Sequence, residues 1–523
     1  MGTSPVTRTP GGLVRGLDEG GVIVFRGIPY AADTSGGRRW RAPEPPQPWG
    51  SVRDATAFGP IAPQSPPVPG MSIPGDPTEW AEDCLSVNVW TPGLDDRARP
   101  VMVWLHGGGF TTGSSSSALY DGRRLSLAGD VVVVSINYRL GALGYMAHPV
   151  LAGSEGGPCA NWGLLDQMAA LAWVRDAIGG FGGDPANVTV FGESAGGMSV
   201  MALLAAPAAE GLFRRAVVQS GPPVSASGPL AARRAERLVE LVGIGAPWTR
   251  AELEALGANA LVEAGQRLAG ELAGQLTMPL AFVPVIDPAS LPTPPGEAIE
   301  STGASEVDLL IGTTRDEATF FSILDPGLSS MDDQTLVRRV SLIAPGASEE
   351  LVTAYRDARG GRSEDVSPPA LWNAILTDFI FRMPSLQVAS AHAASPHAAS
   401  AGRSYAYLFT WETPLLGGVL GSCHALDVPF VFGTLRERSV APFSGGGPEA
   451  EALSDAMQQA WVAFSRSGDP SCDRLGEWPP YDAEQRQTMV LGARQELAED
   501  PRGPERGAWD RLGVHPGTGH HAS

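Results

Sequence analysis

The five residues from Gly192 to Gly196 constrain the fold of this chain more than any other stretch. They follow the β-branched run at 188–191 and precede a run of small residues, starting at Gly197, that suits a helix. This order predicts a strand, a tight turn and a helix, with Ser194 at the apex of the turn. Glycine two positions to either side of the serine fits such a turn, because its backbone is strained and closely packed.

A second glycine-rich motif lies upstream. His106 is followed by three glycines and Phe110, and the motif comes directly after the apolar run at 101–105. Enzymes that present a nucleophilic serine on a strand-to-helix turn keep an oxyanion-binding loop at this place in the chain. The two motifs in this order predict an α/β fold that carries a reactive serine at one edge of its sheet.

The length of 523 residues would accommodate several domains. However, strand-like runs alternate with helical stretches along the whole chain, and no low-complexity linker divides them. We therefore expect one α/β domain over residues 1–500, with a doubly wound, mostly parallel sheet flanked by helices. Segments 230–285 and 330–395 have helical composition and are expected to form a roof over the site. The glycine- and proline-rich tail at 501–523 is expected to be loosely ordered, with histidines that bind no metal.

The formal charge is −20, from 57 acidic and 37 basic residues, which disfavours nucleic acid and anionic membranes as partners. The acidity could steer cationic substrates, or it could serve solubility alone. Residues 1–12 lack the features of a secretory signal, and no apolar run reaches membrane-spanning length, so a cytoplasmic protein is expected. The four cysteines are too few and too scattered for a disulfide framework or a zinc site.

A serine hydroxyl at neutral pH needs a nearby base, and the base needs a carboxylate to orient it. On this type of fold, the acid and then the histidine follow the nucleophile in the chain. Most histidines after Ser194 lie in an alanine-rich segment or in the tail, which leaves His424. His424 lies in a loop between the strand that ends near Thr410 and the apolar run at 428–432. From position alone, a surface-loop histidine is an equal alternative.

The acid is expected after a strand at the same edge of the sheet. Asp316 and Glu317 follow the strand predicted at 308–312. The residues alone do not separate these adjacent carboxylates, and either could cap a helix.

The chain resembles a known family, the type-B carboxylesterases, which include bacterial carboxylesterases, para-nitrobenzyl esterases and cholinesterases. The resemblance runs from about residue 12 to residue 495 and includes the serine turn. The other matching stretches, in order, are residues 25–31, 82–90, 137–139, 163–167, 181–185 and 429–433.

The resemblance implies an α/β-hydrolase fold and assigns the acid to Glu317 and the base to His424. It also implies that the backbone N–H groups of Gly108, Gly109 and Ala195 form the oxyanion hole. Ser220 matches a buried serine that contacts the triad in relatives. These three sets of residues are the catalytic, oxyanion-binding and supporting groups that we expect.

The resemblance further implies substrate-contacting positions. Met278 and Leu280 align with positions that are aromatic in acetyl-specific relatives, and their slimmer side chains predict room for acyl groups longer than acetyl. Phe110, Phe320 and Phe321 resemble residues that line the active-site gorge, although each could equally pack in the core. Trp80 does not align with the tryptophan that binds quaternary ammonium groups in cholinesterases, so a choline ester is not the expected substrate.

Structural features follow from the resemblance as well. Arg39 is expected to pair with Glu82, and Arg139 with Asp166. Cys84 matches a cysteine that forms a disulfide in secreted relatives, but Ala62 occupies the position of its partner. The matched disulfide therefore cannot form. The missing partner argues for a reducing compartment.

The residues and the resemblance together predict a serine carboxylesterase that acts on small-molecule esters through an acyl-enzyme, without a metal or an organic cofactor. We expect it to be a monomer. An amidase or carbamate hydrolase with the same machinery is the first alternative, because these reactions share a tetrahedral intermediate. The second alternative is a non-catalytic interaction protein on the same scaffold.

Overall fold

The computed structural model describes residues 4–66, 75–152, 157, 159–273, 280–302, 306–394 and 402–513. Its strands form a three-stranded sheet of order β1-β2-β5 and an eleven-stranded sheet of order β14-β13-β12-β11-β10-β9-β7-β8-β6-β4-β3. In chain order, the strands are β1 (Val6–Thr9), β2 (Gly12–Arg15), β3 (Leu17–Asp18), β4 (Ile23–Pro29), β5 (Arg53–Asp54), β6 (Ser86–Thr91), β7 (Arg99–Leu105), β8 (Val132–Ile136), β9 (Gly183–Glu193), β10 (Arg215–Gln219), β11 (Asp308–Thr314), β12 (Ser404–Phe409), β13 (Gln487–Leu491) and β14 (Gln495–Glu499).

The central part of the large sheet is parallel. Neighbouring strands from β8 through β7, β9, β10, β11 and β12 to β13 pair in parallel, and antiparallel pairs lie only towards the two edges. Strand β7 is buried along its whole length, as expected for a strand covered on both faces by helices. The predicted mostly parallel α/β architecture is confirmed.

The helices cover the sheet and form the segments inserted between strands. The strands predicted at 101–105 and 308–312 lie within two residues of β7 and β11, and the run at 188–191 lies inside the longer β9. In chain order, the helices are α1 (Arg123–Gly129), α2 (Gly141–Tyr145), α3 (Trp162–Ala177), α4 (Ala195–Ala205), α5 (Gly228–Leu241), α6 (Arg250–Glu254), α7 (Ala258–Ala273), α8 (Pro295–Thr302), α9 (Thr319–Ser322), α10 (Asp333–Ile343), α11 (Ser348–Gly361), α12 (Pro368–Thr377), α13 (Met383–Ala393), α14 (Val428–Phe432), α15 (Ala441–Ser444), α16 (Pro448–Ser467) and α17 (Gly503–Leu512).

The prediction of a loosely ordered tail is wrong for residues 503–512, which form helix α17. The helix has proline at its second position and glycine directly after its end, a pairing typical of helix boundaries. Trp509 of α17 is 1% exposed and donates a hydrogen bond from Nε1 to the hydroxyl of Tyr355 at 2.7 Å. Burial of this indole therefore holds the C-terminal segment against α11. Residues 514–523 lie outside the described residues.

Two ion pairs connect distant parts of the chain, as the resemblance implied. Arg139 contacts Asp166 through Nε at 2.7 Å and Nη2 at 2.6 Å, with both side chains almost fully buried. Arg39 contacts Glu82 in the same two-point manner.

Cys84 is buried and is a free thiol. Among the described residues, no helix is long and apolar enough to cross a membrane.

Candidate active site

Five strand ends converge at one edge of the sheet. His106 follows β7, Ser194 follows β9 and Ser220 follows β10, while Glu317 lies in the turn after β11 and His424 in the loop after β12. Because these strands are parallel, their carboxyl ends lie at the same edge. In open α/β sheets, this edge is where ligands bind.

Ser194 lies at the apex of a strained turn, with φ 55° and ψ −124°, directly between β9 and α4. Its backbone N–H donates to the carbonyl oxygen of Gln219 at 2.9 Å. A Cβ atom at Gly196 would overlap the carbonyl oxygen of Leu105, and one at Gly192 would lie 2.6 Å from the backbone of Gly196. The glycines on either side of the serine are thus required by close backbone packing, as predicted.

The glycine-rich loop after β7 lies beside the serine turn. A Cβ atom at Gly107 would lie 3.1 Å from the Cβ atom of Ser194. Gly108 and Gly109 have φ +110° and +60°, conformations that L side chains rarely adopt. Among the described residues, no hydrogen bond is donated by the N–H groups of Gly108, Gly109 or Ala195. These unpaired donors next to Ser194 suit the binding of a negatively charged oxygen.

His106, at the start of this loop, is held in a fixed position. Its backbone carbonyl accepts a hydrogen bond from the hydroxyl of Tyr138 at 2.6 Å, and its ring stacks on Tyr138 at a centroid distance of 4.4 Å. Burial lowers its pKa to about 4. A neutral, stacked imidazole at this position supports the loop.

His424 contacts the acid expected from the resemblance. Its Nδ1 atom lies 2.5 Å from Oε2 of Glu317. The other carboxylate oxygen of Glu317 accepts hydrogen bonds from the hydroxyl of Ser220 at 2.6 Å and from the backbone N–H of Thr314 at 2.7 Å. Glu317 and Ser220 have no exposed surface, and His424 is 4% exposed. The carboxylate is therefore fixed by donors on one side and faces the imidazole on the other.

Asp316 points elsewhere. Its Oδ2 atom accepts a hydrogen bond from the backbone N–H of Ser422 at 2.8 Å and pairs with the guanidinium of Arg315 at 2.8 Å. It thereby ties the turn after β11 to the loop that carries His424. The structure brings Glu317, and not Asp316, to the imidazole.

The Nε2 atom of His424 faces a second buried carboxylate. It lies 3.0 Å from Oε1 of Glu193, the residue before Ser194, yet neither atom has a hydrogen bond of acceptable geometry within the described residues. Burial alone would lower the pKa of His424, but Glu193 and Glu317 outweigh it and raise that pKa to about 9. Burial raises the pKa of Glu193 to about 8, although His424 opposes the shift. This contact was not found from the sequence, although Glu193 lies inside the serine motif.

A third buried acid lies behind the histidine. Asp427 accepts hydrogen bonds at Oδ2 from the amide of Gln219 at 2.9 Å and from the hydroxyl of Tyr407 at 2.8 Å. Burial raises its pKa to about 6. Because the backbone carbonyl of Gln219 also binds the N–H of Ser194, this network joins the histidine loop to the serine turn.

Aromatic rings surround the imidazole of His424. The ring centroids of Phe321, Phe381 and Phe320 lie 4.9, 5.0 and 6.3 Å from that of His424. Phe321 is 41% exposed, whereas Phe381 is fully buried. The sequence singled out Phe320 and Phe321 but missed Phe381, which comes from a distant insertion.

The other expected substrate contacts have different outcomes. A Cβ atom at Gly109 would lie 3.3 Å from Cδ2 of Leu280, so Leu280 is adjacent to the oxyanion loop. Phe110 is fully buried and packs edge-on against Tyr145 at 4.8 Å, and its gorge-lining role stays a prediction. Met278 lies outside the described residues.

Within the described ranges, no group of three or more acidic, histidine or cysteine side chains could hold a metal ion.

Comparison with known proteins identifies relatives over almost the whole chain. The chain is 38% identical over 507 residues to para-nitrobenzyl esterase of Bacillus subtilis, an alignment that covers 96% of this chain and 98% of the relative. It is 37% identical to phenmedipham hydrolase of Pseudarthrobacter oxydans, with 97% and 99% covered. A solved carboxylesterase of Geobacillus stearothermophilus superposes with a TM-score of 0.84 at 38% identity, over 96% of this chain and 99% of that one.

The model of the carboxylesterase family matches residues 3–509, which is nearly the whole chain. This match includes both glycine-rich motifs and all the strand ends that meet at the site. The chain therefore belongs to the carboxylesterase family and is a carboxylic ester hydrolase.

Proposed function

We propose that Ser194, His424 and Glu317 form the catalytic triad of this carboxylesterase. His424 Nε2 takes the proton from the hydroxyl of Ser194 as the serine oxygen attacks the ester carbonyl. Glu317 holds Nδ1 and stabilises the imidazolium. The tetrahedral intermediate collapses, the C–O bond to the alcohol breaks, and His424 returns its proton to the leaving oxygen. Water activated by the same imidazole then hydrolyses the acyl-enzyme.

The observation that carries this proposal is the 2.5 Å contact between Nδ1 of His424 and Oε2 of Glu317. It orients the ring so that Nε2 remains as the atom that can accept a proton. Nε2 is buried and lacks a well-formed hydrogen bond to any described residue. Catalytic hydrogen bonds are often loose before substrate binds and tighten in the complex. We propose that the imidazole turns from Glu193 towards Ser194 as substrate enters.

We propose that Gly108, Gly109 and Ala195 supply the oxyanion hole. Their N–H groups lack partners among the described residues, and the two glycines have the positive φ values that let successive amides point towards one place. Loss of one such donor typically lowers turnover by about 10²–10³. Ser220 supports the triad through its hydrogen bond to Glu317.

For the substrate, we propose small-molecule esters with acyl groups longer than acetyl. The support is Leu280, whose side chain lies beside Gly109 in the loop proposed to bind the oxyanion. A leucine occupies less volume there than an aromatic ring. Phe320 and Phe321 contribute apolar surface next to the imidazole of His424.

Hydrolysis of carbamates by the same residues is a second candidate function. Its support is that phenmedipham is a carbamate and that the relative named phenmedipham hydrolase matches almost the whole chain. Ester and carbamate cleavage both pass through a tetrahedral intermediate, so the same oxyanion hole would serve. Rates on matched ester, carbamate and amide substrates would separate the two activities.

We also propose a cytoplasmic monomer that binds no nucleic acid. The support for a reducing compartment is that the cysteines, all within the described residues, are free thiols. The support against nucleic acid is the formal charge of −20.

Replacement of the nucleophile tests the proposed function. Ser194→Ala should abolish hydrolysis of para-nitrophenyl butyrate and leave the circular dichroism spectrum unchanged. Ser126→Ala is a matched control, because Ser126 is also a buried serine but bonds to Val131 far from the site. Retained turnover in folded Ser194→Ala protein would refute the triad.

A further inference from the structure

Phe381 is in contact with the imidazole of His424. The two ring centroids are 5.0 Å apart, and Phe381 also stacks on Phe321 at 6.1 Å with an interplanar angle of 9°. Phe321 in turn lies 4.9 Å from the imidazole. The two phenylalanine rings thus restrict the positions that the imidazole can take, and the position of Phe381 bears directly on that of His424.

The backbone that carries Phe381 is unusual. Residues Asp378–Arg382 form a π-helical turn between α12 and α13. Such turns are rare and occur frequently at functional sites. The side chains at the two ends of the turn form a buried two-point ion pair, with Nε of Arg382 at 2.6 Å from Oδ1 of Asp378 and Nη2 at 2.8 Å from Oδ2. This pair spans the turn and fixes the direction in which Phe381 projects.

The ion pair is held from outside by two other helices. The hydroxyl of Tyr355, in α11, donates to Oδ2 of Asp378 and accepts a hydrogen bond from Nε1 of Trp509, in α17, at 2.7 Å. Nη1 of Arg382 donates to the carbonyl oxygen of Pro501 at 3.1 Å. All these side chains are nine-tenths or more buried. A continuous chain of contacts therefore runs from the C-terminal helix to the imidazole.

Ion pairs attach the C-terminal helix to the residues directly after α11 at a second place. Glu505 of α17 pairs with Arg362, and Arg502 pairs with Glu364 through Nη2 at 2.9 Å. The C-terminal segment is thus anchored before Trp509 as well as at Trp509 itself.

We propose that Tyr355 and Trp509 are positioning residues of the active site. They act through Asp378 and Arg382 to place Phe381 against His424. This inference rests on the proposed function, because it assigns the proton transfer to His424. A purely structural role for Tyr355 and Trp509 would lower thermal stability without changing turnover per active site, so the two roles make different predictions.

The test compares Tyr355→Phe and Trp509→Phe with Tyr30→Phe. Tyr30→Phe is the matched control, because it removes one buried hydroxyl that donates to the carbonyl of Asn137 at 2.7 Å, away from His424. Active sites are titrated with an organophosphonate, and kcat and KM are measured well below each melting temperature. Loss of one hydrogen bond in the network should lower kcat by roughly three- to tenfold in both test variants. KM should change by less than about twofold, and Tyr30→Phe should retain the parent kcat.

A double-mutant cycle identifies the route. Phe381→Leu should lower kcat, and Tyr355→Phe should cause no further loss on that background, because both substitutions act through the same ring. Phe381→Met serves as a second variant that better conserves volume if Phe381→Leu does not fold. The proposal is overturned if the losses multiply independently, or if both network variants keep the parent kcat per titrated site.

Ser194→Ala, which lacks the titrated nucleophile, is measured in the same series per mole of folded protein. If Ser194→Ala abolishes turnover while Tyr355→Phe and Trp509→Phe leave kcat unchanged, only the positioning role fails. If Ser194→Ala retains turnover, the proposed function itself fails.

Discussion

The Nε2 atom of His424 lies 3.0 Å from Oε1 of Glu193, so the imidazole has a buried carboxylate on each side. In the proposed triad, Glu317 contacts the nitrogen that keeps its proton, and Glu193 faces the nitrogen that accepts one. Both carboxylates favour the charged imidazolium, and they raise the pKa of His424 to about 9 against the opposing effect of burial. The pH dependence of turnover is therefore expected to depend on Glu193.

Glu193→Gln should move the acid limb of the kcat/KM profile to lower pH. The base is active only when it is neutral, and removal of a neighbouring anion lowers the pKa at which the imidazole loses its proton. An opposite charge at this distance shifts a pKa by about 1–3 units, so a shift of about one unit or more is expected. The profile is measured with para-nitrophenyl butyrate in buffers of constant ionic strength.

Glu240→Gln is the control for this change, because Glu240 is exposed and pairs only with surface Arg237 among the described residues. Its acid limb should coincide with that of the parent protein. An unmoved limb in Glu193→Gln, or a shift to higher pH, would contradict the electrostatic role of Glu193.

Glu317→Gln and Asp316→Asn should differ strongly in turnover. Replacement of the acid of a triad by its amide typically lowers kcat by about 10⁴, because the histidine loses its orientation and the imidazolium its stabilisation. Asp316 binds the backbone of Ser422 and does not contact the imidazole. Asp316→Asn should therefore lower thermal stability with a much smaller effect on kcat. Equal losses of kcat in the two variants would remove the distinction between these adjacent carboxylates.

Local sequence patterns predicted the parts of the site that depend on backbone geometry. The turn at Ser194 and the loop at Gly108 carry glycines that close packing and positive φ require. The choice between Asp316 and Glu317 needed the family resemblance. The two carboxylates are adjacent in the turn after β11, and the sequence pattern does not show which of them contacts the histidine. Boundary signals for α17 were present at Pro504 and Gly513, but the overall glycine and proline content concealed them.

Contacts between distant segments could not be predicted in the same way. Glu193 was visible inside the serine motif, but its approach to His424 depends on how the loop after β12 folds back over the sheet. Phe381 lies in an insertion whose composition indicated helices and nothing more. Its contact with the imidazole depends on a π-helical turn, and a buried network across α11 and α17 holds that turn.

Gly108→Ala should lower kcat by about 10² or more, because a distorted loop would misplace oxyanion donors. A Cβ atom at this position would overlap the backbone carbonyl of Thr112, and φ is +110°. Gly211→Ala is the control, since Gly211 also has positive φ but no atom within 4 Å of the added Cβ. The control should lose only about 1 kcal/mol of stability and should keep its turnover. Normal kcat in folded Gly108→Ala protein would exclude this loop from catalysis.

Arg139→Ala should reduce the free energy of unfolding by about 3–5 kcal/mol, because it leaves the carboxylate of Asp166 buried without its cation. Both side chains of this pair are almost fully buried, at 3% and 0% exposure. Arg237→Ala removes an exposed pair with Glu271 and should change stability little. Urea unfolding followed by tryptophan fluorescence measures both. Similar losses for the two variants would contradict the importance of burial.

Leu280→Phe should narrow the acyl specificity. Leu280 lies next to Gly109, so a larger ring there would occupy space that the proposed function assigns to the acyl chain. The measured quantity is the ratio of kcat/KM for para-nitrophenyl hexanoate to kcat/KM for para-nitrophenyl acetate. This ratio should exceed one in the parent protein and fall by about tenfold or more in the variant. One or two methylenes in an apolar pocket change binding by about 1–3 kcal/mol. Leu127→Phe is the control, because Leu127 is 47% exposed on α1 and should leave the ratio unchanged. A parent protein that strongly prefers acetate, or a ratio that Leu280→Phe does not alter, would show that the acyl chain binds elsewhere.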